Sequence, residues 1–213
     1  MPDFDLGLRC YAGMPDGYLD DFRASLPREG FRVTDDEVPP RPIAAIVWFV
    51  PTAIAIYIAK PFIDVILKRA ADDFADVVYP RLKGGIATLA KKVFIRDRLP
   101  LSHDTCDVSS APSEAVFFSI CSETTTTKRI KFVFTEPLPE HQYDTCIQEL
   151  FTLLEQHHQS QDGTDDLSRQ IAALPENLQY QIFLVYDGVS DTWEVRDPIH
   201  ELIEKRRGRE EAS

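Results

Sequence analysis

The sequence predicts an α+β protein, and three observations carry that prediction. Residues 115–199 alternate strand and helix signals in the order ββααββ, which gives an antiparallel sheet packed by helices rather than repeated βαβ units. Residues 6–39 read as β-α-β. Between these two parts an uncharged run passes into an amphipathic stripe, the mark of a long helix laid against a core. On this reading the chain divides into an N-terminal region at 1–99, a polar linker at 100–114 and an α+β region at 115–213.

In chain order, LGLRCYA at 6–12 predicts a first strand. A helix follows with Asp16 as N-cap and Leu19, Phe22 and Leu26 at helical spacing, ended by Pro27 and Gly30. FRVTDDEVP gives a short strand with Phe31 and Val33 on one face. Beyond Lys60, Phe62, Ile63, Ile66, Ala70, Phe74 and Val77 form one apolar stripe, and Asp64 and Lys68 make an i,i+4 pair on the opposite side. Pro80 is expected to stop this helix, and a second, basic helical piece runs on to about Val93. In the second half, Ile130, Phe132 and Phe134 share the core face of a hairpin closed by residues 124–128. Pro139 opens a helix whose stripe is Tyr143, Ile147, Leu150, Phe151 and Leu154. Thr164 is expected to cap the next helix, and YQIFLVYD and TWEVRD form a final hairpin.

The run from Ile43 to Ala59 holds no charge and has Pro51 near its middle. As a helix its length is about 26 Å against a hydrocarbon core of about 30 Å, which makes a membrane span marginal. The favoured alternative splits it at Pro51: Ile43 to Val50 as a buried strand, then Thr52 capping a helix that continues through Lys60.

Charge narrows the partners. Lys plus Arg total 23 against 35 Asp plus Glu, a net charge of −12, which disfavours nucleic acid, because phosphate binding rests on basic contacts. Cys10, Cys106, Cys121 and Cys146 show no metal-type spacing and read as reduced thiols. The N-terminus lacks the basic and apolar regions of a secretory signal, so the expected location is cytoplasmic, with membrane association as the alternative.

The chemistry-bearing residues are scattered. Glu155, His157 and His158 lack the spacing of a metal site, since adjacent helical residues point about 100° apart. Ser102, His103, Asp104 and Cys106 fall in the polar linker, a poor frame for catalysis. Gly84-Gly85 is followed by no GK[ST], and no GxGxxG exists, so no phosphate loop, cofactor or metal is expected.

At VPTAIAIYIAKPFIDVILKRAADDF, and again at KRIKFVFTEPL and YQIFLVYDGVSDTWEVRDPI, the chain resembles a group of small, uncharacterised bacterial proteins. That group shares a PTA-apolar-YIAKPYFD core, an amphipathic helix and a β-rich C-terminal half. The likeness covers residues 31–199, with Phe62 where the group has Tyr. It implies no activity. It implies that Lys60, Pro61, Phe62 and Asp64 form a recurring structural or partner-facing element, and Lys60, Asp64 and Lys68 are the candidate binding residues. The leading expectation is a non-enzymatic, acidic interaction protein that binds another protein, of the immunity or defence-associated kind. The alternatives are a membrane-anchored accessory protein using residues 43–59, and an enzyme whose site lies between the halves, with His103 meeting Asp64.

Overall fold

The structure is a computed structural model. It describes residues 5–12, 14–27, 30–39, 52–68, 73–96, 118–126, 128–134, 137–160, 162–176 and 181–197. It is an α+β fold built on one seven-stranded mixed sheet. The strands are β1 (Leu6–Tyr11), β2 (Val33–Val38), β3 (Ile54–Ile58), β4 (Phe118–Glu123), β5 (Arg129–Val133), β6 (Gln181–Asp187) and β7 (Thr192–Arg196), in spatial order β2-β1-β3-β4-β5-β6-β7. The helices are α1 (Asp20–Ser25), α2 (Lys60–Lys68), α3 (Asp73–Lys91), α4 (Gln142–Gln159) and α5 (Asp166–Ala172), with a π-helical turn at Lys92–Arg96 after α3.

Register explains the core. Leu8, Ile56, Ile120, Phe132, Leu184 and Val195 stand side by side across six strands, so one face of the sheet is a continuous apolar surface. The helices bury it: Phe22 of α1, Phe62 of α2, Leu82 and Ile86 of α3, Leu150 of α4 and Leu167 of α5 join these strands in a single cluster. The opposite face is also closed at its centre, where Ser119, Lys131, Val133 and Phe183 are buried.

The ββααββ order of the second half is as the sequence predicts, but its two hairpins join through a parallel β5–β6 pair, so the sheet is mixed. Val133, Phe183 and Val185 give the reason: β5 and β6 bury both faces, the pattern of central parallel strands rather than of a half-solvated antiparallel sheet. Parallel β3–β4 pairing ties the first half to the second in the same sheet. Residues 100–114, expected as a linker, lie outside the described residues.

The apolar run resolves differently from either sequence reading. Thr52 caps no helix; its hydroxyl bonds the Ile54 carbonyl and the Ser119 hydroxyl (2.6 Å), and residues 54–58 are strand β3, between β1 and β4. Ile54, Ile56 and Ile58 are β-branched and fully buried, and this central position overrides a helical continuation. Residues 54–58 of the run 43–59 are therefore strand and not part of a membrane-spanning helix. Among the described residues no helix is long and apolar enough to cross a membrane. The expected strand at 43–50 lies outside the described residues.

Pro80 does not end a helix but sits inside α3. An interior proline costs about 3 kcal/mol; burial of Tyr79, Leu82, Ile86, Leu89 and Ala90 along the same helix outweighs it. The single stripe from Phe62 to Val77 is likewise corrected: Phe62, Ile63 and Ile66 are buried on α2, while Val77 belongs to α3 and is 62% exposed. Two caps shift. Helix α1 starts at Asp20 after the turn containing Asp16, and Asp165, not Thr164, caps α5 by accepting from the Ser168 amide.

α1 crosses α3 closely at Gly85, where a Cβ would lie 2.7 Å from Ser25 Cβ and 2.2 Å from its Oγ, which is held by a bond to the Phe22 carbonyl. Gly85→Ala is expected to destabilise by about 1–2 kcal/mol despite the gain in helix propensity. Adding Ser25→Gly should recover most of that loss in urea unfolding.

Candidate functional site

The densest polar constellation gathers where the β4–β5 turn, the end of α4 and the start of α5 meet. The turn is held by its own threonines: Thr124 Oγ1 accepts from the Lys128 amide (3.0 Å) and contacts Thr126 Oγ1 (3.0 Å). This leaves the Thr125 amide pointing at the last turn of α4, where it donates to His157 Nε2 (3.2 Å). The other ring nitrogen, Nδ1, lies 3.0 Å from Asp165 Oδ1 and 3.2 Å from Ser168 Oγ. Ser168 in turn gives its hydroxyl proton to Asp165 Oδ2 (2.5 Å) and its amide to Oδ1 (2.9 Å).

Serine, histidine and aspartate thus meet, but not in the order of a nucleophilic triad. That mechanism needs one imidazole nitrogen to take the serine proton while the other is held by the carboxylate. Here Nε2 is occupied by a backbone N–H, so Nδ1 carries the ring proton and faces both partners. The serine proton already belongs to Asp165. Burial pushes the Asp165 carboxyl up, but the Ser168 hydroxyl and amide and the His157 ring outweigh it and hold the group below the usual carboxylate range. The constellation is a clamp joining a turn and two helix ends.

His158, next on α4, turns to a different neighbourhood; the two rings are 5.5 Å apart and nearly perpendicular. Its Nε2–H donates to the Glu123 carbonyl (2.9 Å), while Nδ1 is buried and bonded to nothing. Burial pulls the His158 pKa below the ordinary imidazole value; the Glu123 bond opposes this, His157 and Lys60 add to it, and Asp64 opposes it. A lowered folded value means that the unfolded chain takes up the proton first as the pH falls below about 6.5. Stability is therefore expected to decline from pH 7 toward pH 5, and His158→Gln to flatten that slope in urea midpoints measured across the range.

Two of the candidate binding residues, Lys60 and Asp64, act on this histidine. Lys60 Nζ contacts Asp64 Oδ2 at 2.8 Å and Oδ1 at 3.0 Å, both side chains partly buried, so Asp64 pairs backward with Lys60 and not forward with Lys68. Lys68 is exposed at the end of α2. Glu155 points away from the histidines and accepts the Tyr79 hydroxyl of α3, with burial raising its carboxyl pKa. Among the described residues no three His, Cys, Asp or Glu side chains group as metal ligands. His103 and its neighbours lie outside the described residues.

Sequence reasoning missed a second titratable row. Tyr57, Cys121 and Lys131 stand in register on β3, β4 and β5, with the Arg9 guanidinium 5.5 Å from the Tyr57 ring centroid. Burial pushes the Cys121 thiol up, against Lys131, Ser119 and two arginines, and pushes the Lys131 ammonium down. A thiol kept protonated is a poor nucleophile. Cys10, Cys121 and Cys146 are all free. Alternation of IKFVF would have placed Lys131 off the core face; its burial comes from the closure of the second face.

No protein-family model, curated protein or solved structure matches this chain.

Proposed function

We propose that this is a non-enzymatic, acidic interaction module that binds a basic protein partner. The observation that carries the reading is the acidic border formed by α1 and edge strand β2. There Asp16, Asp20, Asp21, Asp35, Asp36 and Glu37 outnumber Arg9, Arg23, Arg32 and Arg81, and residues 35–37 are exposed. The arginines order this border: Arg23 Nε bonds Asp35 Oδ2 at 2.7 Å and Arg9 lies 3.7 Å from Asp36. Such a field favours encounter with a positively charged protein and sets its orientation. The internal use of Asp165, His157 and Ser168 as a clamp supports a role other than nucleophilic catalysis at that point. An immunity or defence-associated role belongs to the same class of restraining, acidic binders. Lys68, exposed at the end of α2, extends the partner-facing candidates beyond the acidic border.

The test is affinity capture with the full chain from its native cells, followed by reconstitution with the purified partner. A stoichiometric basic protein is expected, whose association rate falls with salt and falls further with Asp36→Lys and Glu37→Lys together. Failure to recover a stoichiometric partner, or binding indifferent to both salt and charge reversal, overturns the reading.

A further inference from the structure

One of the two glycines of α3 is unexplained by the fold alone. Gly85 answers to the close crossing with Ser25, but a Cβ at Gly84 would meet nothing within 4 Å. A mid-helix glycine costs about 1 kcal/mol relative to alanine. At Gly84 no packing contact accounts for that cost.

Gly84 opens onto a cleft of ≈ 170 Å³ between α1 and α3. Gly84, Thr88 and Lys92 line it at four-residue intervals, hence in one row along the helix. Tyr18, Phe22 and Leu89 are buried and give it an apolar floor. Asp21 brings a carboxylate from α1 to the same cleft and takes part in no ion pair among the described residues. Lys92 brings an ammonium held in place: Nζ donates to the Tyr18 carbonyl (2.8 Å) and lies 4.2 Å from the Tyr18 ring centroid. An ammonium has three donors, so this anchoring leaves others for a ligand. Lys92 also begins the π-helical turn, a local form found often at functional sites.

The geometry points to this cleft as a binding site for a small zwitterion with an apolar side chain, the chemistry of a free α-amino acid. Its carboxylate meets Lys92 and the Thr88 hydroxyl, its ammonium meets Asp21, and its side chain lies on Tyr18, Phe22 and Leu89. The volume suits one such molecule, and the opposite charges of Asp21 and Lys92 discriminate against ligands bearing only one of the two groups. The site shares Asp21 with the acidic border but not residues 35–37, so Asp36→Lys with Glu37→Lys should leave amino-acid binding unchanged.

The test is an amide-resolved NMR titration of the full-length chain with L-leucine and L-phenylalanine, up to about 10 mM, a range suited to weak millimolar binding. Saturable shifts at Gly84, Gly85, Thr88 and Lys92 are expected. N-acetyl-L-phenylalanine and phenethylamine, each lacking one charge, should bind roughly tenfold more weakly, as should the amino acid to Lys92→Met or Asp21→Asn. Gly84→Leu is expected to abolish the shifts while leaving the rest of the spectrum folded. Gly84→Ala should raise the unfolding midpoint and weaken binding together. No saturable shift with either amino acid, shifts that survive Gly84→Leu, equal binding of the singly charged analogues, or a stabilised Gly84→Ala chain that binds undiminished each overturns the proposal.

Discussion

Trp193→Ala is expected to remove about 4 kcal/mol of stability, the upper range for an aromatic core truncation. Trp193 is 4% exposed and packs edge-on against Phe132 (5.0 Å) and Phe134 (5.5 Å), with Tyr186 tilted beside it at 5.4 Å. Its indole N–H donates to the Cys146 carbonyl of α4 (2.9 Å), so the ring fastens β7 to the helix layer as well as filling space. Truncation leaves a cavity and removes the indole's added bond to a helix carbonyl. Trp193→Phe separates the two: it keeps much of the ring contact, loses the hydrogen bond, and should cost about 1–2 kcal/mol. Chemical unfolding of the three chains measures both terms.

His157→Ala is expected to cost about 3 kcal/mol, because one substitution strips partners from the Thr125 amide and the Asp165 carboxylate at a buried site. The effect has a pH signature. Asp165 is held below the ordinary carboxylate range, so its contribution is fully present above about pH 4 and is lost as the pH falls through the lowered folded value. Without His157 one cause of that lowering is gone, so the part of the acid loss due to Asp165 should be smaller, and complete at a higher pH, than in the parent chain. Urea midpoints between pH 2 and 6 follow the displacement.

The elements most legible in the sequence were those whose periodicity and surroundings agree. Tyr143, Ile147, Leu150, Phe151 and Leu154 define the stripe of α4, and every one of them is buried. Ile130, Phe132 and Phe134 lie on the core face for the same reason. Misreading arose where neighbours decide. AIAIYI is apolar on both faces, so alternation is silent and helix and strand look alike; only pairing with β1 and β4 selects the strand. Pro80 carries a strong local stop signal, which long-range burial overrides.

The polar clamp was partly readable. Asp165 and Ser168 stand three apart at the start of α5, where an Asp suits the N-cap, and two histidines close the preceding helix. Nothing in the spacing tells which ring reaches the Thr125 amide, because that depends on a turn more than thirty residues upstream. The pairing of Lys60 with Asp64 is local and was within reach; helical order favours the acid N-terminal to the base, which pointed instead to Asp64 with Lys68.

The parallel β3–β4 pair has a consequence for how the chain acquires its structure. Its two strands are separated by residues 59–117, so the centre of the sheet cannot close until α2 and α3 have been brought across it. Such non-local pairing makes folding slow compared with that of the flanking hairpins, β4–β5 and β6–β7, whose contacts are local. A nascent chain released before residue 118 would present β3 as an open, fully apolar edge, the kind of edge on which chains aggregate. The seam between the two halves is thus the step at which production of this protein is most exposed to failure.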